Sequence, residues 1–242
     1  MTEDPFEFLR QFHTLEGVEV PGLVVERSGP AGVELAWRNE LGGLTFRVRD
    51  GYLKWNPRST GIDLARERRR LEWLSVRHPA PRVLEFGEDQ HAQWLVTAPL
   101  PGTSAVGDAW RARRPEAIRA IAEGLRAIHA VPVSDVSAGL DDSWVVRTPA
   151  SIGPRPPIAD PVLVHGDACA PNTLVGEDGR WSGHVDLGDM AVGDRWADLA
   201  IASMSLDWNY GEGHQHELFE AYGIEPDEER IAWYRALWDL ES

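Results

Sequence analysis

The stretch HGDACAPN, residues 165–172, and the shorter HVDLGD, residues 184–189, decide how this chain is read. Asp167 and Asn172 lie five apart across a loop, and Asp186 lies fourteen further on. The apolar run VLV (162–164) leads into the loop, and EDG (177–179) marks a second turn before HVDLGD. Two short strands around a polar loop therefore present an Asp, an Asn and a second Asp in sequence.

Those three side chains suit one chemistry. Carboxylate and carboxamide oxygens are hard donors of the kind Mg²⁺ takes, and a carboxylate can accept or orient a hydroxyl proton. Phosphoryl transfer needs both, because the metal neutralises phosphate charge while the base directs the acceptor.

Working outward, the N-terminal part reads as strands. GLVVERS (22–28), VELAW (33–37), LTFRVRD (44–50) and YLKW (52–55) are short β-branched or aromatic runs separated by GPAG, RNELGG and RDG. DLARERRRLEWLSVRH (63–78) then places Leu64, Glu67, Leu71 and Leu74 at helical spacing, with Asp63 as a cap. RVLEFGED (82–89) and QWLVTAPL (93–100) read as two more strands. The result is a mostly antiparallel sheet with one inserted helix.

From PLPGTS onward the texture is helical. RPEAIRAIAEGLRAIHAVP (114–132) aligns Ile118, Ile121, Leu125 and Ile128 and stops at Pro132. A Pro-rich connector (148–161) precedes the Asp-containing loop, and DRWADLAIASMSL, QHELFEAYG and DEERIAWYRALWDL read as three closing helices. The expected class is α+β: a small antiparallel-sheet lobe over residues 1–100, a hinge near 97–103, and a larger, mainly helical lobe over 104–242. A cleft between such lobes is a natural ligand site.

The chain holds 24 Lys and Arg in total, and Lys54 is its only lysine. It stands on the last strand before the inserted helix, and Glu67 lies on that helix thirteen residues later. A strand lysine paired with a helix glutamate is what kinase chemistry uses to hold the α- and β-phosphates. An ammonium is a compact charge that a planar guanidinium does not reproduce. The plain alternative is a chance surface lysine and an ordinary helical carboxylate.

Charge narrows the partners. The net charge is −15; residues 1–100 carry 13 basic and 15 acidic side chains, whereas 101–242 carry 11 and 24. An acidic C-terminal half disfavours nucleic acid and suits a cationic partner, although solubility alone also explains acidity. One cysteine, Cys169, excludes an internal disulfide and fits a reducing cytoplasm. No apolar run is long enough to span a bilayer, and MTEDPFEFLRQFH lacks the pattern of an export signal.

The loop spacing resembles the H-R-D-x-x-x-x-N and D-F-G motifs of protein kinases, with Gly166 in place of the Arg and Leu187-Gly188 in place of Phe-Gly. More specifically, LVHGDACAPNTLV…GRWSGHVDLGDMAVGDRWADLA resembles the aminoglycoside phosphotransferases, above all the 3′-phosphotransferase branch. YLKW, ARERRRLEWL, HPAPRVLEFGED, WLVTAPLPG, LRAIHAVP and YGIEPDEERIAWYRALWDL follow in that family's order, so the resemblance spans residues ~33–242. It implies a bilobal protein-kinase-like fold and transfer of a γ-phosphoryl group from ATP or GTP to an antibiotic hydroxyl.

Position by position, the resemblance implies Asp167 as the catalytic base, Asn172 and Asp186 as Mg²⁺ ligands, and Lys54 with Glu67 as the phosphate-holding pair. Tyr52 would stack on the base, Asn39–Phe46 with Gly42 and Gly43 would cover the phosphates, and Thr97 and Pro99 would line the hinge. Asp194, Asp198 and His165 would support the catalytic loop. Asp207, Trp208 and Asn209 would contact the acceptor at one position, and Asp239, Glu241 and the C-terminal carboxylate at another. Residues 196–242 carry eleven acidic and two basic side chains, which suits a polyamine acceptor.

Three positions depart from the family pattern. Pro99 has no N–H where a hinge amide is expected to meet the base, which shifts recognition to Leu100 or admits guanine. Asp189 follows DLG where arginine is expected, and the connector from His129 to His165 is short, which implies a more open acceptor side. Two other functions share these residues. One is a kinase of a metabolite hydroxyl, such as an amino alcohol or sugar. The other is a nucleotide-binding pseudokinase, against which the full set of Lys54, Glu67, Asp167, Asn172 and Asp186 argues.

Overall fold

The computed structural model describes residues 14–30, 32–135, 140 and 142–241. The N-terminal MTEDPFEFLRQFH stretch and the C-terminal carboxylate at Ser242 lie outside the described residues. The chain divides into two compact units. One comprises the chain up to Glu72 with Pro81–Pro99, and the other comprises Trp73–Ala80 with the chain from Leu100 onward.

The first unit opens with a short helix, α1 (Gly22–Arg27), where the β-branched run had suggested a strand. The reason is local. Pro21 sits at the N-cap with φ −60°, and its carbonyl accepts from Val24 N and Val25 N, so the run is turned into helix before a sheet partner can claim it. Strands β1 (Glu34–Arg38), β2 (Leu44–Val48), β3 (Gly51–Pro57), β4 (Val83–Glu88) and β5 (Ala92–Thr97) form one antiparallel sheet in the order β1-β2-β3-β5-β4.

Alternation sorts the two faces of this sheet. Phe46, Leu53 and Val96 are cross-strand neighbours in register and pack with Val24 and Leu35 into a core, beside Trp55 and Trp94 stacked 5.7 Å apart. Thr45, Arg47, Tyr52, Lys54, Leu95 and Thr97 therefore share the other face. Helix α2 (Leu64–Leu74) begins on that face: Asp63 Oδ1 accepts from Ala65 N at 2.9 Å, and Gln93 Oε1 accepts from Leu64 N at 2.8 Å.

The second unit contains β6 (Thr103–Ser104), α3 (Asp108–Arg111), α4 (Arg114–His129), β7 (Val162–Val164), β8 (Thr173–Val175), β9 (Trp181–His184), β10 (Ala191–Gly193), α5 (Trp196–Tyr210), α6 (Gln215–Tyr222) and α7 (Glu228–Glu241). Ile118, Ile121, Leu125 and Ile128 of α4 are all buried, and α5 is apolar nearly all round. β10 pairs with β7, and β8 lies between β6 and β9.

Segment Trp73–Ala80 belongs with this unit although the chain places it beside the N-terminal strands. His184 N donates to Pro79 O at 3.0 Å, and the His78 ring stacks on His184 with Nε2 and Nδ1 3.0 Å apart. Backbone and ring together attach the segment to β9.

Candidate active site

The Asp-containing loop leaves β7 and is held from below by α5. Asp198 is fully buried; its Oδ2 accepts from His165 N at 2.7 Å and its Oδ1 from Gly166 N at 2.9 Å. His129 Nε2 lies 3.0 Å from Asp198 Oδ2, and His129 Nδ1 lies 2.8 Å from the Tyr222 hydroxyl. A carboxylate only accepts, so the His129 Nε2–H donates to it.

His165 works within the loop. Its Nδ1 accepts from Asp167 N at 3.2 Å, which puts the ring hydrogen on Nε2, and that group donates to Val185 O at 3.0 Å. One ring thereby ties the loop to the segment that carries Asp186.

Gly166 explains the missing arginine of the kinase motif. Its φ is +80°, and a Cβ there would collide with the carbonyl oxygen of Asp189. Asp189 O also accepts from Ser143 Oγ at 2.7 Å.

Asp167 follows immediately. Its Oδ2 accepts from Asn172 Nδ2 at 2.9 Å, while its Oδ1 is buried without a hydrogen-bond partner. Burial raises its pKa above the ordinary carboxylate value, and the nearby Asp186 carboxylate raises it further.

The β8–β9 ladder brings Asn172 and Asp186 to one end. Thr173 pairs with His184, and Val185 N donates to Asn172 O at 3.0 Å. Because Asn172 Nδ2 is committed to Asp167, its Oδ1 is left as an oxygen donor. Asp186 has φ +59°, the only non-glycine positive φ among the described residues. Aspartate tolerates that conformation better than most residues, but it remains strained, and such strain gathers at functional sites.

These groups fit Mg²⁺. Asn172 Oδ1 and the Asp186 carboxylate are hard donors, and the unpartnered Asp167 Oδ1 adds negative character close by. Among the described residues no group of three His, Cys, Asp or Glu side chains forms a ready-made cation site.

In the first unit, Lys54 Nζ lies 2.7 Å from Glu67 Oε1, joining β3 to α2. Tyr52, two residues earlier on the same face, lies opposite Thr97 in the ladder. The Arg47 guanidinium stands over the Tyr52 ring, 5.0 Å from its centre. Ala98 N donates to Arg82 O at 2.9 Å, and Pro99 follows with no N–H.

Gly42 and Gly43 close the β1–β2 hairpin. Gly42 has φ +92°, and Gly43 N donates to Asn39 Oδ1 at 2.6 Å. A side chain at Gly43 would meet Asn39 and Asn56. The Gly43 amide is thus taken up by the hairpin itself.

The residues expected to meet the acceptor differ in exposure and in partners. Asp207 accepts from Gln215 Nε2, leaves Oδ1 buried without a partner, and lines an open depression with Glu212, Gly213 and His216. Trp208 is 48% exposed. Asn209 points the other way: it is buried, and its Nδ2 donates to Ser205 O at 2.8 Å and contacts Ser205 Oγ at 3.1 Å. Ser205 Oγ in turn accepts from Ala170 N at 2.9 Å, so Asn209 braces the loop from behind. Asp239 is exposed, and Glu241 forms an ion pair with Arg147. Ser143, Trp144 and Ser205, which touch the loop backbone, carry no sequence signal of their own.

The chain is similar to known proteins of one family. The model of a phosphotransferase enzyme family matches residues 38–148 and 147–234. An aminoglycoside 3′-phosphotransferase of Streptomyces fradiae is 34% identical over 225 residues, covering 75% of this chain and 81% of that protein. A streptomycin 3″-kinase of Streptomyces griseus is 31% identical, covering 88% and 94%. Among solved structures, an aminoglycoside phosphotransferase of Streptomyces rimosus in complex with ADP and streptomycin superposes with a TM-score of 0.67 at 25% identity, covering 91% of this chain and 97% of that one. A choline/ethanolamine kinase family protein of Mesorhizobium loti, 22% identical with a TM-score of 0.58, shares the fold.

Proposed function

The chain belongs to the phosphotransferase enzyme family, and from that premise we propose that it moves the γ-phosphoryl group of a nucleoside triphosphate to a hydroxyl of an aminoglycoside, inactivating the antibiotic. The observation that carries this reading is the state of Asp167. Its loop is fixed by Asp198 and His165, one of its oxygens is held by Asn172, and the other is buried and unpartnered. A carboxylate with one oxygen held by Asn172 and a second oxygen that carries no hydrogen bond is suited to accept a hydrogen bond from an acceptor hydroxyl.

The roles follow from the chemistry of each group. Asp167 orients the acceptor hydroxyl and takes its proton as the oxygen–phosphorus bond forms. Its raised pKa makes it a better proton acceptor than an ordinary carboxylate. Lys54, steadied by Glu67, holds the α- and β-phosphates of the donor, and Tyr52 offers a ring to the base. Asn172 and Asp186 would hold Mg²⁺, which when bound supplies positive charge to the phosphate oxygens. The acidic carboxylates of the C-terminal part, Asp207 and Asp239 among them, attract a polycationic acceptor. The reading places the enzyme in the cytoplasm, where nucleoside triphosphates are available; among the described residues no helix is long and apolar enough to cross a membrane.

A coupled assay of ADP and GDP release over a panel of aminoglycosides and of metabolite alcohols tests this. The expected result is turnover with one or more aminoglycosides and none with choline, ethanolamine or simple sugars. Turnover confined to a neutral alcohol would replace this reading with the metabolite kinase.

A further inference from the structure

The peptide unit between Gly166 and Asp167 carries the catalytic base, and both of its polar ends are held by side chains. Its N–H, on Asp167, donates to His165 Nδ1 at 3.2 Å. Its carbonyl, on Gly166, accepts from the indole Nε1–H of Trp144 at 2.6 Å. The arrangement answers a weakness of the loop. Gly166 is required because any Cβ would strike Asp189 O, yet glycine leaves the adjoining peptide free to rotate as a plane. Rotation of that plane would swing the Asp167 side chain away from Asn172.

A tryptophan suits this task better than a flexible donor. The indole N–H only donates, and its direction is set by where the ring lies. Trp144 is buried, and its ring packs edge-on against Trp238 of α7 at 5.2 Å and 86°. Ser143, one residue earlier, holds the Asp189 carbonyl, and Arg147, three residues later, pairs with Glu241 at the end of α7. The short 3-10 turn Trp144–Val146 is therefore anchored on the loop at one end and on the C-terminal helix at the other.

We propose that Trp144 is a positioning residue for the catalytic base: its indole N–H, aimed by Trp238, locks the Gly166–Asp167 peptide so that Asp167 faces the acceptor. The proposal rests on the functional reading of Asp167 above.

Two replacements at this position test it: Trp144→Phe, and 3-benzothienylalanine, which keeps the bicyclic shape while sulfur replaces the N–H. In both, kcat should fall about tenfold, the size expected when one hydrogen bond to a catalytic element is lost. The KM values for nucleotide and acceptor and the nucleotide Kd should stay within about twofold, since the N–H touches neither ligand. Hydrogen exchange at the Asp167 amide should quicken. A merely structural tryptophan predicts the reverse: loss of folded protein and of nucleotide binding together with kcat for phenylalanine, and full activity for the isosteric analogue. Wild-type kcat and unchanged Asp167 exchange in the benzothienyl protein would overturn the proposal. If the wild type phosphorylates no aminoglycoside, the functional reading fails instead. Slow nucleotide hydrolysis and Asp167 exchange in the same two proteins then decide the role of Trp144.

Discussion

Lys54 Nζ lies 2.7 Å from Glu67 Oε1, and the glutamate side chain is only 7% exposed where the lysine keeps 21%. A buried carboxylate thus fixes the chain's single lysine on the strand face that also bears Tyr52. Lys54→Arg should therefore not be conservative. A guanidinium is broader, planar and tied to fork geometry, whereas the phosphate role calls for a compact ammonium. Turnover or nucleotide affinity should drop by about tenfold or more, equivalent to roughly 1.4 kcal/mol. Isothermal titration with nucleotide and steady-state kinetics measure it; wild-type values in the variant would make the lone lysine a coincidence.

Asp167→Asn should abolish transfer, leave nucleotide affinity near wild type, and raise the melting temperature. The stability effect follows from the direction of the pKa shift. Burial raises the folded-state value above the unfolded one, so the folded chain binds more protons between the two. Stability from this group is then present below the unfolded pKa and is lost as pH rises through the folded pKa. Above its folded-state pKa the ionised Asp167 costs stability, and a neutral isostere relieves that cost, as at other sites where function opposes stability. Scanning calorimetry that finds Asp167→Asn less stable than wild type at pH 7 would contradict the assigned environment.

The loop that bears Asp167 and Asn172 was legible in sequence because its information is local: their spacing and the following Asp186 lie on one strand-loop-strand unit. Lys54 was legible because it is unique in the composition. Other features depend on tertiary context. The run Gly22–Arg27 has the residues of a strand, but Pro21 caps it into a helix. Asn209 could not be assigned a direction by periodicity, because α5 is apolar on nearly every side. Trp144 lies in an irregular stretch without periodicity, and its role shows only in the distance to Gly166 O.

His78 supplies an acid-stability prediction. It is buried against His184, and that burial, first among the causes, lowers its pKa to about 4. A base with a depressed folded pKa binds fewer protons folded than unfolded, so stability is lost as pH falls from the unfolded value near 6.5 toward 4. The loss from this residue should reach at most about 3 kcal/mol. Urea unfolding from pH 7 to 4.5 should show a falling midpoint, and His78→Gln should flatten the fall. An unchanged slope in that variant would mean that other groups carry the acid sensitivity.

Nucleotide preference should be weak. Ala98 N is engaged by Arg82 O and Pro99 has no N–H, so two successive hinge positions offer the base no donor. Losing one directional bond costs about 0.5–1.5 kcal/mol, so ATP and GTP should differ by about tenfold or less in kcat/KM. Competition kinetics with the two nucleotides check this. A large preference for adenine would show that another donor, such as the Leu100 amide, replaces the missing one.

Acceptor binding should be electrostatic and should weaken with salt. Residues 196–242 carry eleven acidic and two basic side chains, and Asp239 is exposed on the last helix. Exposed charge pairs are screened as the Debye length shrinks from ~10 Å at 0.1 M to ~3 Å at 1 M. Acceptor KM should therefore climb with ionic strength more steeply than nucleotide KM, which depends on the Lys54–Glu67 pair and its largely buried carboxylate. Asp239→Asn should raise acceptor KM a few-fold and reduce the salt slope, consistent with the ~1 kcal/mol upper range of an exposed pair. Glu241 should contribute less, because Arg147 already neutralises it. Arg147→Ala would release that carboxylate and should lower acceptor KM at low salt. A sugar or alcohol acceptor predicts no salt slope and no response to either substitution. Steady-state kinetics at several salt concentrations on the wild type and both variants separate the two: a flat profile in all three would remove the polycationic acceptor while leaving the phosphotransferase assignment intact.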